Sequence, residues 1–372
     1  VQPAPDHALA ALRVVVRASQ GVPPTEPMIE LSVGHERIDA TIDSLFEHAA
    51  ISGSVFSLLT GTYGTGKTHL LMHLSARALA DRRPVFRLSL ERLDSDLGNP
   101  QRHLRRLLEQ ALLPLPGVPG PLDRLVAWTR SRAQLDRLVA TLEQVAAEDS
   151  DAASAAHKVI TMARKVRRWG AALEAYLGAL DLATRPGNSG YRQDAYNRLL
   201  LWLALLERLD GCAGPVVVID EAESLYQGGK SRAERRTALR SLSFYCGGAL
   251  PGACVVMAVT PEALTRLRDE ASELLADVAA QRTVLPWEDA TMLQHRLTTL
   301  RPIEAPALTP GQRAVLADRV RLVHQRARGP VDDPGWDAHV EGLLARQTSP
   351  REVVRRVVDR LERRWWLGDA GG

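Results

Sequence analysis

Two periodicities alternate along this chain. Short, almost uninterrupted apolar runs rich in β-branched residues are separated by longer stretches in which apolar positions recur every three or four residues. Ser54–Thr60 (SVFSLLT), Pro84–Leu90 (PVFRLSL), Val216–Asp220 (VVVID) and Cys254–Thr260 (CVVMAVT) read as strands, with a shorter one at Thr283–Leu285. Strands apolar on both faces suit a buried parallel sheet, and the helical stretches between them supply its crossovers. Helices are predicted at Ile38–Ala49, at Thr68–Ala80 and almost throughout 101–210, broken at Pro114–Pro121 and Pro186–Gly190. From Trp287 the pattern is helical again, and it closes in an Arg-rich helix over Pro350–Trp366.

The expected fold class is therefore α/β, a parallel sheet flanked by helices. Residues 1–30 hold five of the 22 prolines around one short helix, Ala8–Ala18, and read as an arm. Residues 31–286 form the sheet core, with 101–190 as a helical insertion, and 287–372 form a C-terminal helical lid.

Composition narrows the class. With 372 residues, 45% hydrophobic and 24% charged, the chain has room for two domains and is neither disordered nor fibrous. The longest apolar run, Leu199–Leu206, is far short of the ~20 residues a membrane helix needs. The first thirty residues mix acids with prolines and lack the basic-then-apolar pattern of a leader. Cys212, Cys246 and Cys254 are odd in number and lack metal-ligand spacing, which suits free thiols in a reducing cytoplasm. Only four of the 47 basic residues are lysines, and one of these, Lys67, carries the chemistry.

Residues 61–68 read GTYGTGKT, which matches G-x-x-x-x-G-K-[ST] in the setting the motif requires. An apolar strand runs into it, and Leu70, Leu71, Leu74 and Ala78 continue as a helix face. Glycines at 61, 64 and 66 let backbone N–H groups turn inward, and the helix N-terminus adds partial positive charge, so phosphate oxygens can replace water there. The loop residues Gly61, Tyr63, Gly64, Thr65, Gly66, Lys67, Thr68 and His69 are the nucleotide-contacting candidates. Lys67 is suited to the β- and γ-phosphates, and the Thr68 hydroxyl to Mg²⁺.

The strand Val216–Asp220 ends in two carboxylates, at the strand tip where open α/β sheets bind ligands. Asp220 is the candidate Mg²⁺ ligand, and Glu221 the candidate for orienting or deprotonating an attacking water. The next strand ends at Thr260. Its hydroxyl either caps the helix beginning at Pro261 or holds the γ-phosphate or lytic water, and the two roles are compatible. Ser349–Pro350–Arg351–Glu352 is a helix start with Arg351 on the wrong side of the dipole, a cost of about 0.3–1 kcal/mol that a nearby anion would remove. Arg351 is thus the candidate γ-phosphate sensor, and Arg282 the candidate arginine finger acting on a neighbouring subunit of a homo-oligomer.

With these motifs placed, the chain resembles a P-loop ATPase of the AAA+ type, in the initiator-like clade. It resembles more narrowly the ATP-binding proteins of bacteriophage-exclusion (BREX) defence systems. The likeness rests on GTYGTGKTHLL, VVVIDEAESLY, AVTPEAL and SPREVVRRVVDRL in that order over residues 30–365. It implies an ATP- and Mg²⁺-dependent component of an anti-phage complex, with other defence proteins as partners and action on or near DNA. It also implies that Val33 and Gly34, in the segment Val33–Arg37, wrap the adenine. The chain departs from the initiator clade in the roughly 150 residues between Lys67 and Asp220, and in the 21 residues after Arg351, too few for a winged-helix DNA reader.

The chain's own nucleic-acid signal is local, because a formal charge of +3 is no dedicated DNA-binding footprint. From Ala152 to Leu173 there are five basic residues and no acid. Val159, Met162, Val166 and Trp169 form an apolar stripe there, leaving the basic side, from Lys158 to Arg164, Lys165 and Arg168, either solvated or against duplex DNA. The last helix repeats the arrangement with Val354, Val358, Leu361 and Trp365 on one side, where packing is the expected role. His69 and His73 have i, i+4 spacing but no third zinc ligand nearby. Two functional alternatives stand beside the ATPase: a nucleotide-dependent switch with negligible hydrolysis, and a DNA-bound loader or transposition ATPase.

Overall fold

A computed structural model describes residues 5–20, 31–91, 97–178 and 189–369, apart from positions 32, 35, 119, 228, 284 and 346–347. Helices α1 (Pro5–Ser19) and α2 (Glu36–Ser52) precede strand β1 (Ser54–Thr60), helix α3 (Lys67–Ala80) and strand β2 (Val85–Ser89). A helical series follows: α4 (Pro100–Glu109), α5 (Pro121–Thr129), α6 (Arg132–Ala146), α7 (Asp151–Val166), α8 (Trp169–Leu173), which continues into a π-helical turn, and α9 (Ser189–Asp210). Then come β3 (Val216–Asp220), a 3₁₀ turn over Ala222–Tyr226, α10 (Arg232–Cys246), β4 (Ala253–Val259), α11 (Pro261–Ala279) and α12 (Trp287–Thr299). Strand β5 (Ile303–Glu304) leads to α13 (Pro310–Arg328), α14 (Trp336–Leu344) and α15 (Pro350–Asp369).

The five strands form one parallel sheet in the order β2-β3-β4-β1-β5. In register, Val85 faces Val216 and Ser89 faces Asp220, while Val216 faces Cys254 and Ile219 faces Met257. All seven residues of β4 and the first four of β3 are buried, as expected of central strands covered on both faces. Leu112 makes a short antiparallel bridge with Val85, occupying polar groups on the outer edge of β2.

Four of the five expected strands lie where the apolar runs place them. The fifth does not: Thr283 and Leu285 are bends, and the remaining strand is Ile303–Glu304. A strand of two residues, in a three-residue gap between Pro302 and Pro306, leaves no alternation to detect. The pairing there comes from the Ala305 N–H donating to the Thr60 carbonyl at 2.8 Å.

The chain forms two compact units, one of residues 1–42, 60–76 and 304–372, the other of 43–59 and 77–303. In the first, α1 packs on α13 and α15 through Ala11, Val14, Val15, Val320, Val353 and Leu361. The deepest residues of α15 are Val353, Val357, Val358 and Leu361, so its buried stripe is wider than the predicted one and only half covers Val354. Two of its arginines are tied down. Arg356 pairs with Glu352, and Arg360 bonds both oxygens of Asp333 at 2.6 Å.

The second unit has a core running from the sheet into the insertion, with Trp202 of α9 fully buried. Helix α7 turns a face of Ala152, Ala155, Ala156, Val159, Ile160 and Ala163 inward. The predicted stripe breaks at its end. Arg167 adopts a left-handed conformation (φ 55°), Val166 is half exposed, and Trp169 re-enters the core from α8. The break at Pro186 lies outside the described residues. Cys212, Cys246 and Cys254 are free and buried, and no described helix is long and apolar enough to cross a membrane.

Candidate functional site

In the first unit, the loop 61–68 joins the end of β1 to the start of α3. Gly64 and Gly66 take φ of +82° and +97°, values that an L side chain adopts only with strain. Thr65 closes the turn, its hydroxyl donating to the Thr62 carbonyl at 2.8 Å. Lys67 is buried (8% exposed) and its ammonium donates to the Gly61 carbonyl at 2.8 Å and to Thr62 at 3.4 Å. A compact cation is thus held over the mouth of its own loop, beside the first turn of α3, whose N–H groups have no helical acceptors. Thr68 and His69 follow, half-buried on α3, while His73 bonds Asp39 at 2.7 Å.

The start of α15 meets this loop within the same unit. A Cβ on Gly64 would lie 3.1 Å from the Ser349 hydroxyl, which caps α15 by accepting the Glu352 N–H at 3.3 Å. Arg351 stacks its guanidinium 4.8 Å from the centre of the exposed Tyr63 ring and donates to the Tyr63 hydroxyl. Val33 packs half-buried against the helical core, and Gly34 is buried with the Gln312 amide so close that a Cβ would stand 2.7 Å from it. The structure thus brings Tyr63, Gly64 and Arg351 together. Ser349, the cap of α15, and Gln312, which closes the capping box of α13, contribute to these contacts as well.

In the second unit, β3 ends at Asp220, whose carboxylate accepts the Glu221 N–H at 2.9 Å. Glu221 has a left-handed backbone (φ 58°), a strained conformation for a non-glycine residue. Its carboxyl is pushed up to about 8, chiefly by burial, then by a hydrogen bond with Glu91 and the charges of Asp220, Glu91 and Glu223. Glu91 stands just past the end of β2, where the Leu90 N–H donates to the Asp220 carbonyl at 3.0 Å. The clue to Glu91 is in the pattern, since PVFRLSLE, like VVVIDE, is an apolar strand ending in an acid. On β2, burial lowers the pKa of Arg87, and the charge of Asp220 opposes that shift.

Thr260 caps α11, its hydroxyl accepting the Ala263 N–H at 3.3 Å, on the strand beside β3. Arg282 is 74% exposed, with Asp277 at 3.8 Å as its ion partner among the described residues, and it joins none of the other candidates. Lys158 is also engaged, because its ammonium bonds Asp194 at 2.5 Å, which Tyr176 and Arg198 bond as well. The basic side of α7 therefore reduces to Arg164, Lys165, Arg167 and Arg168, all exposed, with Glu143 3.9 Å from Arg164.

A parallel sheet whose strand β1 enters a G-x-x-x-x-G-K-T loop and then a helix defines a P-loop nucleotide-binding fold. Within that class, residues 9–113, from α1 past α4, match the family described as BREX system ATP-binding protein BrxC/D. No curated protein matches the chain.

Proposed function

We propose that the protein binds and hydrolyses ATP as a component of a BREX-type anti-phage complex, together with other defence proteins and on or near DNA. The observation that supports the reading most is the loop, with Gly64 and Gly66 in left-handed conformations and Lys67 buried over the Gly61 carbonyl. Lys67 exchanges that carbonyl for phosphate oxygens, and the amides of Gly64 to Thr68 cradle them. Bound ATP·Mg²⁺ supplies the electrophilic phosphorus and its counter-charge, and the oxygen donors of Thr68 and Asp220 fit the hard cation. Glu221 takes the water's proton, Thr260 orients the water, Arg351 senses the γ-phosphate, and Arg282 serves a neighbouring subunit. Val33 and Gly34 lie along the adenine.

The crowding of Glu221 by Glu91, Asp220 and Glu223, which with burial raises its carboxyl to about 8, favours a second reading, an ATP-dependent switch. A carboxyl that keeps its proton is not free to accept one from water. The two readings part on ATP turnover by wild type and Glu221→Gln, each with and without duplex DNA. Turnover in wild type that Glu221→Gln loses supports the enzyme, and near-zero turnover in all four samples removes it. ATP binding lost in Lys67→Ala would then leave the switch.

A further inference from the structure

Helices α10 and α11 are laced together by a ladder of ion pairs. Arg232 reaches Glu273 at 2.6 Å, Arg235 reaches Glu270 at 2.5 Å, and Arg236 pairs with Asp277. The next arginine, Arg240, lies one turn beyond Arg236 and breaks the pattern. No carboxylate among the described residues pairs with it. Its Nη2 donates to the Thr283 hydroxyl, and its Nε is shielded from solvent without an acceptor.

A second arginine with no carboxylate partner among the described residues converges on the same place. Arg192 of α9 donates to the hydroxyl of Ser241, the residue next to Arg240, at 3.2 Å, and to the Gly98 carbonyl at 2.7 Å. Both residues are half-buried. Burial first, and then the charges of Arg192 and Arg236, push the Arg240 pKa down. Arg83, Arg124 and Arg198, which are similarly or more deeply buried, each have an aspartate. Partly desolvated charge is unfavourable unless it is paired, so this place in the fold is matched to an anion.

We propose that Arg192 and Arg240, with the Thr283 hydroxyl, form a binding site for a phosphate-class oxyanion, built from none of the residues of the loop 61–68. Two planar guanidiniums offer forked N–H pairs that fit a tetrahedral oxyanion, and their joint charge matches a phosphate. Inorganic phosphate and a polynucleotide phosphodiester share that chemistry. The site does not depend on whether the loop hydrolyses ATP.

The test uses the full chain carrying Lys67→Ala, so that the loop does not compete. Inorganic phosphate and, separately, a short single-stranded oligonucleotide are titrated by calorimetry, with melting followed in parallel, into this parent and into its Arg192→Gln, Arg240→Gln and Thr283→Val derivatives. Binding of at least one probe by the parent, weakened tenfold or more by either arginine substitution and a few-fold by Thr283→Val, is expected. Without ligand, the arginine derivatives should melt no lower than the parent, because a repulsion has been removed. Weakened oligonucleotide binding identifies the phosphodiester as the source, and weakened phosphate binding alone identifies the free ion. No binding of either probe, or binding unchanged in both arginine derivatives, overturns the proposal. So does a lower melting temperature with unchanged binding, which would make the arginines structural. Should Arg240→Gln fail to fold, Arg192→Gln and Thr283→Val carry the same test.

Discussion

Arg351 stacks on the ring of Tyr63 and donates to its hydroxyl, joining the first turn of the last helix to the third residue of the phosphate loop. Any nucleotide contact made by Arg351 must compete with this one. A cation–π contact at an exposed site is worth about 0.5–1 kcal/mol, and it sets the scale here because water replaces the exposed hydrogen bond when Arg351 leaves. Tyr63→Ala should therefore tighten ATP binding two- to five-fold by releasing Arg351, and Arg351→Ala should weaken it roughly tenfold. Equilibrium titration with a fluorescent ATP analogue distinguishes the two. Equal weakening by both substitutions would show that Tyr63 itself holds the nucleotide.

Gly64 tests the loop's shape. Alanine there forces an L side chain into a left-handed conformation, costing about 1–2 kcal/mol, and brings its Cβ within 3.1 Å of the Ser349 hydroxyl. Gly64→Ala should weaken ATP at least tenfold while leaving the far-ultraviolet circular dichroism unchanged. Unaltered ATP affinity would mean that the loop binds in another conformation.

Asp333 gives the pH dependence. Its side chain is fully buried, and the bond from Arg360 holds its carboxyl below the usual carboxylate range. A depressed folded-state pKa contributes stability that is present above the unfolded value near 4 and is lost as pH falls through the folded one. Asp333→Asn should cost on the order of 2 kcal/mol at pH 7, below the range for fully buried pairs because Arg360 stays a quarter exposed. The loss should shrink between pH 5 and pH 3. Urea unfolding at the three pH values checks it, and a constant difference would assign the effect to packing.

For DNA, the exposed end of α7 makes the prediction. Arg164→Ala with Arg168→Ala should reduce the salt dependence of duplex affinity by a slope of about 2, near 0.9 for each phosphate no longer neutralised. Fluorescence anisotropy from low to high salt measures it. An unchanged slope would remove this surface as the DNA-binding face.

The sheet was legible in the sequence wherever burial is two-sided. VVVID and CVVMAVT can be little else than central strands, and the glycine loop announces itself after β1. What escaped was set by tertiary contact. Ile303–Glu304 becomes a strand only because Thr60 offers a carbonyl, and the end of α7 is decided at Arg167, a residue with no turn preference to betray it. Among site residues, Lys67 and Asp220 follow from motif and strand tip. The influence of Glu91 on Glu221 depends on the β2–β3 register, and the capture of Lys158 by Asp194 joins residues 36 apart on two helices.

The unit that carries the phosphate loop is assembled from three stretches, 1–42, 60–76 and 304–372. Its contacts thus span nearly the whole chain, and contacts between distant residues are slow to form. A ribosome that has made the loop must still make more than two hundred residues before α13 and α15 emerge to pack on α1. Nascent chains of this protein should therefore expose the apolar face of α1 throughout that interval, and Arg351 can meet Tyr63 only once the start of α15 has been made.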